Sequence, residues 1–334
     1  MSHTSTTSNK FRSFSGLVVG VGLTTIAILL FLNKQYVYDT LSFYQYEPTA
    51  AVAGIAERTT MTDKGRFYFY ASHPRIDGAQ AFNQECNRHE ESSAILGCYN
   101  GDRIFVYDVT DAQLDGIKEV TATHEMFHAV YQRMSQDERN RLNQLLQDEY
   151  KKHADNKELA DRMAFYERTE PGQENNELHS ILGTEFGGLS PELEGHYVKY
   201  VANRQVIVDL HTKYAAVFNT LKSKSESLAA QLKQLGSTIE SDSASYNKSV
   251  GKLNTAIQSF NARAASGDFS SQAAFNREKN QLMSQISQLD ASKNAIDRSV
   301  ATYESLRLEY NQTAAASNKL YESLNSNLAP TPSV

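Results

Sequence analysis

His124-Glu125-Met126-Phe127-His128 decides how the rest of this 334-residue chain is read. On a helix the two histidines fall four residues apart on one face, about 6 Å from each other, and can share one metal ion with Glu125 beside it. A polar helix face that happens to carry two histidines is the plainer reading. The surroundings are helical in pattern. Ile117, Val120, Phe127 and Tyr131 recur at helical spacing between Asp111 and a break at Ser135. Ser135 with Glu138 forms a capping-box pattern and opens a helix through Leu142, Leu145, Leu146 and Tyr150. Two more helices are predicted, Lys157 to Arg168 before Pro171-Gly172, and Glu174 to Leu182 before Gly183.

Upstream the pattern changes to strands. Arg66-Phe67-Tyr68-Phe69-Tyr70 is dense in β-favouring aromatics, and Ile95 to Tyr99 and Ile104 to Val109 flank Asn100-Gly101-Asp102, a hairpin turn signal. Cys86 and Cys98 are too few for a disulfide scaffold or a cysteine metal site. They form one disulfide if the compartment is oxidising, or remain two free buried thiols.

Residues Gly16 to Leu32 carry no charge and are just long enough to cross a hydrocarbon layer. Lys10 and Arg12 then predict a cytoplasmic tail over 1–15, with everything after the 16–32 anchor outside. A cleaved signal peptide is the competitor, but Asn33-Lys34-Gln35-Tyr36 lacks a small-residue cleavage pattern and Ala51 to Ala53 lies far downstream. Residues 33–62, around Pro48, read as a stalk.

Beyond Ser190-Pro191-Glu192, a helix-start signature, the sequence stays helical. Leu210, Tyr214, Val217 and Leu221 alternate spacings of four and three, as do Leu228, Leu232, Leu235 and Ile239. Ser266-Gly267-Asp268 interrupts the pattern before it resumes through Phe275, Leu282, Ile286 and Leu289. This predicts an antiparallel coiled-coil hairpin over 198–326, with a first arm of roughly 80 Å at 1.5 Å per residue. Residues 327–334 read as a disordered tail. A net charge of −6 and a pI near 5.9 offer no basic surface, so nucleic acid is excluded as a partner.

With these residues in view, the chain resembles the H-E-x-x-H metallopeptidases, the zincins, and within them the gluzincin branch. The pattern of the other main branch is absent, because Tyr131 and Met134 stand where its glycine and third histidine would be. The resemblance covers about Arg66 to Tyr197. It implies an α+β, zincin-like catalytic domain over 63–197, built from a small sheet and zinc-binding helices. Its cofactor would be Zn2+, held by His124, His128 and a glutamate on a later helix. Glu177, in Glu177-Leu178-His179-Ser180, matches that helix, and Glu185 is the runner-up. Glu125 would take a proton from the attacking water and pass it to the leaving amine. His179, His196 and Tyr197 are candidates for stabilising the oxyanion, and Ile104 to Val109 for the sheet edge that receives substrate. Ile181 stands where the family often carries an acid, which leaves open what orients the ligating histidines.

The expectation is therefore a single-pass, membrane-anchored, extracytoplasmic zinc metallopeptidase acting on a peptide or protein, with a hairpin that binds a partner or self-associates. The alternative is a non-catalytic, zinc-containing adhesion or scaffold protein built on the coiled coil.

Overall fold

The computed structural model describes residues 8–86 and 95–327, with side chains from residue 20 onward. In chain order the elements are α1 (Ser8–Leu32), α2 (Lys34–Gln45), α3 (Ala50–Arg58), α4 (Asp63–Ala71), β1 (Arg75–Asp77), α5 (Ala79–Glu85), β2 (Gly97–Tyr99), β3 (Ile104–Tyr107), α6 (Ile117–Arg133) and α7 (Gln136–Lys152). They continue with α8 (Lys157–Thr169), α9 (Glu174–Glu185), α10 (Pro191–Tyr197), α11 (Gln205–Ser266) and α12 (Gln272–Leu324). The chain divides into two compact units, Met1–Ala216 with Glu322–Val334, and Val217–Tyr321.

This architecture corrects the expected α+β class. The chain is predominantly helical, and its sheet consists of three short strands in the order β1-β3-β2. Arg66 to Tyr70, expected as a strand, lies inside α4. The aromatic content favours a strand locally, but Thr62 caps the helix by accepting from the Gly65 amide, and Phe69 turns fully into the core. A Cβ on Gly65 would stand 2.1 Å from the Tyr200 carbonyl oxygen, so glycine permits the close approach of α4 to the chain after α10.

The expected transmembrane helix is corrected as well. Among the described residues no single helix is long and apolar enough to cross a membrane; Gly20–Leu32 and Lys34–Gln45 form a pair bent by 76°. Nor do residues 33–62 form a stalk. Within them, α2 and α3 are helices of the first unit, and Val52, Ile55, Ala56 and Met61 belong to its core. Of the predicted tails, residues 1–7 and 328–334 lie outside the described residues, while residues 8–15 belong to α1. Ser326, at the end of the predicted hairpin, is buried and exchanges two hydrogen bonds with Asn83.

One buried ion pair ties α2 to the end of α6. Arg133 donates from Nε and Nη2 to Asp39 (2.8–3.0 Å) and from Nη1 to the Tyr99 hydroxyl, and both charged side chains are at most 5% exposed. Asp39→Ala leaves the guanidinium buried without its counter-charge. The expected result is a loss of about 3–5 kcal/mol, seen as a lower midpoint in chemical unfolding.

The core of the first unit forms around α6, which packs against β2 and β3 on one side and α9 on the other. Gly116 opens α6 in a left-handed conformation, φ +100°. At Gly183 a Cβ would fall 2.7 Å from the Phe127 ring and 2.8 Å from Tyr197, so the crossing of α6 and α9 depends on this glycine. It does not end the helix, as the sequence pattern predicts, because α9 continues to Glu185. Ser135 and Glu138 form the complete capping box at the start of α7.

In the second unit α11 and α12 run antiparallel. Lys224 pairs with Glu309 (2.8 Å), Tyr303 lies against Gly236, and Arg263 pairs with Glu278 near the turn. Gly267 makes the turn at φ +72°, with Phe260, Phe269 and Phe275 clustered beneath it. Leu228, Leu253 and Phe260 are buried, whereas Leu232, Leu235, Leu282 and Ile286 are half-buried, as two helices without a third layer require.

Candidate metal centre

Helical periodicity brings the first two ligands together. His124 and His128 sit on consecutive turns of α6 with ring centroids 4.7 Å apart. Helix α9, crossing at Gly183, delivers Glu177 to the same point. His124 Nε2 lies 3.6 Å from Glu177 Oε2, and His128 Nε2 lies 3.4 Å from Glu177 Oε1. Three donors, one from each residue, lie within 4.8 Å of one another. These separations are long for hydrogen bonds and close to the roughly 3.3 Å expected between ligands around a tetrahedral ion with bonds of about 2.0 Å. Among the described residues Glu177 Oε2 is buried and has no hydrogen-bond partner, a lone pair that a cation would satisfy. His124, His128 and Glu177 can therefore bind a metal ion.

The orienting group for His128 is Asn176. Its Oδ1 accepts from His128 Nδ1–H at 3.0 Å, with Ser180 Oγ at 3.3 Å from the same nitrogen, leaving the Nε2 lone pair toward the centre. Ser180 thus serves the ligand, while Gly183 allows the two helices to approach.

Glu125 is 6% exposed and belongs to the same cleft of about 570 Å³. Burial raises its carboxyl pKa, outweighing the opposing pull of His128 and His124. Gly97 of β2 presses on it: a Cβ there would fall 2.7 Å from Glu125 Oε1. The strand beside the centre is thus β2. β3, expected as the receiving edge, is the central strand, paired with β1 and β2, and Ile104, Phe105 and Val106 are buried.

Burial would raise Glu177 too, but His128 and His124 draw its pKa down to about 2. For His128 burial favours the neutral ring, yet Glu177 and Glu125 prevail and raise its pKa above 6.5. Protons therefore compete with a metal for His128 while Glu177 stays ionised. As pH falls through the raised His128 value, metal affinity is expected to drop, approaching about tenfold per pH unit for each proton displaced. Metal occupancy measured against pH at a buffered free-metal concentration checks this; an occupancy that rises on acidification contradicts it.

Of the oxyanion candidates, none lines the cleft. His179 is fully buried, packs against Phe127 and Tyr197, and bonds His196 Nε2 to Nε2 at 3.0 Å. The Tyr197 hydroxyl donates to the His179 carbonyl at 2.7 Å, a bond that holds α10 against α9. Glu185 does reach the cleft, but Arg162 grips it through two hydrogen bonds of 2.5 and 2.8 Å, and His211 Nε2 stands 3.4 Å away. It is held by the Arg162 cation and faced by His211, and is no member of the His124–His128–Glu177 group.

The chain matches no family model, no curated protein and no solved structure. Its chemistry is therefore read from the cleft itself. Arg162, Tyr166, His211 and Tyr214 also line it, and the sequence marked none of them as a site residue. Tyr214, read as a coiled-coil seam position, lies with His211 near the start of α11, within the first unit. Burial lowers the His211 pKa despite Glu185, keeping the ring neutral, and burial beside Glu177 raises that of Tyr166, keeping its hydroxyl protonated.

Proposed function

We propose that this chain is a zinc-dependent metallopeptidase that hydrolyses peptide bonds, with His124, His128 and Glu177 as ligands. The observation that carries the reading is the meeting of these three donors with a buried Glu125 in one cleft beside a strand. Two imidazoles and one carboxylate are the donor set of hydrolytic zinc sites, which leave a coordination position open. Bound zinc supplies Lewis-acid polarisation of the scissile carbonyl and a water of lowered pKa.

The residues of the chain do the rest. Glu125 takes the proton of the attacking water and carries it to the leaving amine, a role suited to a carboxyl whose burial has raised its pKa. Asn176 holds His128 in its ligating tautomer. Tyr166, protonated throughout the working pH range, is our candidate donor to the developing oxyanion, in place of His179 and Tyr197. An extended peptide has β2 to lie along, and this supports a peptide over a small-molecule substrate.

Cys86 and Cys98 form a disulfide, which supports an oxidising compartment and hence a catalytic unit outside the cytoplasm. The test is hydrolysis of an unfolded protein by the full chain, with and without chelator, beside the Glu125→Gln variant. Zinc at one equivalent without turnover favours the alternative, a scaffold with structural zinc. Absence of zinc sinks both readings.

A further inference from the structure

The two fully buried residues of helix α2 are polar. Asp39 and Ser42 are buried at 2% and 8% exposure, Asp39 on Arg133 and Ser42 on His73, and beside them the half-buried Phe43 packs against Phe67 and Tyr70. Its outward face is apolar and aromatic. Tyr38, Leu41 and Tyr44 follow one another at spacings of three and are 50%, 58% and 81% exposed, and Tyr36 beside them is 64% exposed. A partner outside the described chain must cover this stripe.

The stripe continues into α1. From Gly20 to Leu32 that helix carries no charge, and among the described residues Val21, Leu23, Ile26, Ile28, Leu29 and Leu30 are each more than half exposed. The two helices meet at a 76° bend. At the bend lie Lys34, whose ammonium sits 5.8 Å from the Phe31 ring centroid, and Tyr36. Apolar residues on one side of a bend, with tyrosines and a lysine on the other, are the composition of a bilayer boundary, where aromatic rings occupy the headgroup level and lysines reach to the water. A second protein copy would not call for that change of character at the bend.

We propose that α2 lies along a lipid bilayer with Tyr38, Leu41 and Tyr44 in the headgroup layer, while the apolar part of α1 enters the acyl layer. The buried Asp39 then has a defined task. Through the Asp39–Arg133 pair it fastens the lipid-seated helix to the C-terminal end of α6, the helix that carries His124 and His128. The first unit is thereby held to the membrane by a docked helix and not by a flexible tether. This inference is independent of the peptidase reading, and its test reads no activity.

The chain has no tryptophan, so Tyr44→Trp installs a single fluorophore at an exposed position where the fold tolerates it. The full-length variant is reconstituted with vesicles of phosphatidylcholine and phosphatidylglycerol, four to one. Part of the phosphatidylcholine is brominated either beside the ester linkage or near the chain end. The expected result is a blue-shifted emission that falls roughly twofold with shallow bromine and much less with deep bromine. Emission equal in brominated and plain vesicles overturns the proposal. So does a blue shift that appears without lipid and grows with protein concentration, which assigns the stripe to a second copy. Matching far-ultraviolet circular dichroism and unfolding midpoints of variant and parent confirm that the fold is unchanged.

Discussion

Glu125→Gln is expected to lower the rate of peptide hydrolysis by between about 10² and 10⁴-fold while leaving metal content at the parent level. The carboxylate is isosteric with the amide, so packing against Gly97 survives, and the donors of His124, His128 and Glu177 are untouched. What disappears is a group able to accept a proton and release it. The chain also places an unusual demand on that group. Burial favours its neutral form, and His128 and His124 oppose this only in part, so the proton taken from water is held in a site already disposed to keep it. The expected signature is a loss in kcat with KM little changed, since Glu125 acts on the attacking water and not on substrate binding. Measured on one unfolded substrate, with metal quantified in the same samples, equal activity of variant and parent would end the catalytic assignment. Loss of metal with activity would show instead that Glu125 supports the site.

The parts of this centre that were legible in the sequence are those whose geometry is set within one helix. His124, Glu125 and His128 need only the 3.6-residue repeat, and the capping box at Ser135 needs only four consecutive residues. Glu177 could be named because it follows a residue pattern on a helix. Contacts between distant segments were not legible. Arg162 and His211 reach Glu185 from α8 and α11, and neither neighbour announces itself by spacing. The strand at Arg66 to Tyr70 failed for a related reason. Its aromatic residues have the local preference of a strand, but Thr62, Gly65 and the docking of Phe69 and Tyr200 impose a helix from outside the segment. In α2 the most exposed positions are apolar or aromatic, and two of the residues that hold it to the first unit, Asp39 and Ser42, are of types that composition marks as solvent-facing.

Glu177→Ala and Glu185→Ala are expected to separate completely in metal content, although the two carboxylates lie on one helix and line one cleft. Four-ligand protein zinc sites form with about 10–16 kcal/mol, so one ligand is worth roughly 3 kcal/mol, and Glu177→Ala should weaken metal binding by about a hundredfold or more. The loss should be specific, because Glu177 hydrogen-bonds nothing else through Oε2, and its removal leaves His124 and His128 as a two-ligand site. It should also relax the electrostatics. Without Glu177 the raised His128 pKa falls toward the value that burial dictates, so His128 stays neutral and open to metal at lower pH, but with weaker grip. Glu185→Ala does something different. Its carboxylate is clamped by Arg162 and faced by His211, and deleting it leaves a half-buried guanidinium without its counter-charge, so the cost appears as lower stability with one equivalent of metal retained. Metal titration of both variants, each checked by its unfolding midpoint, decides the assignment. Full occupancy in Glu177→Ala together with loss in Glu185→Ala would transfer the third ligand to Glu185 and require α9 to rotate from the orientation that Gly183 and Ser180 now hold.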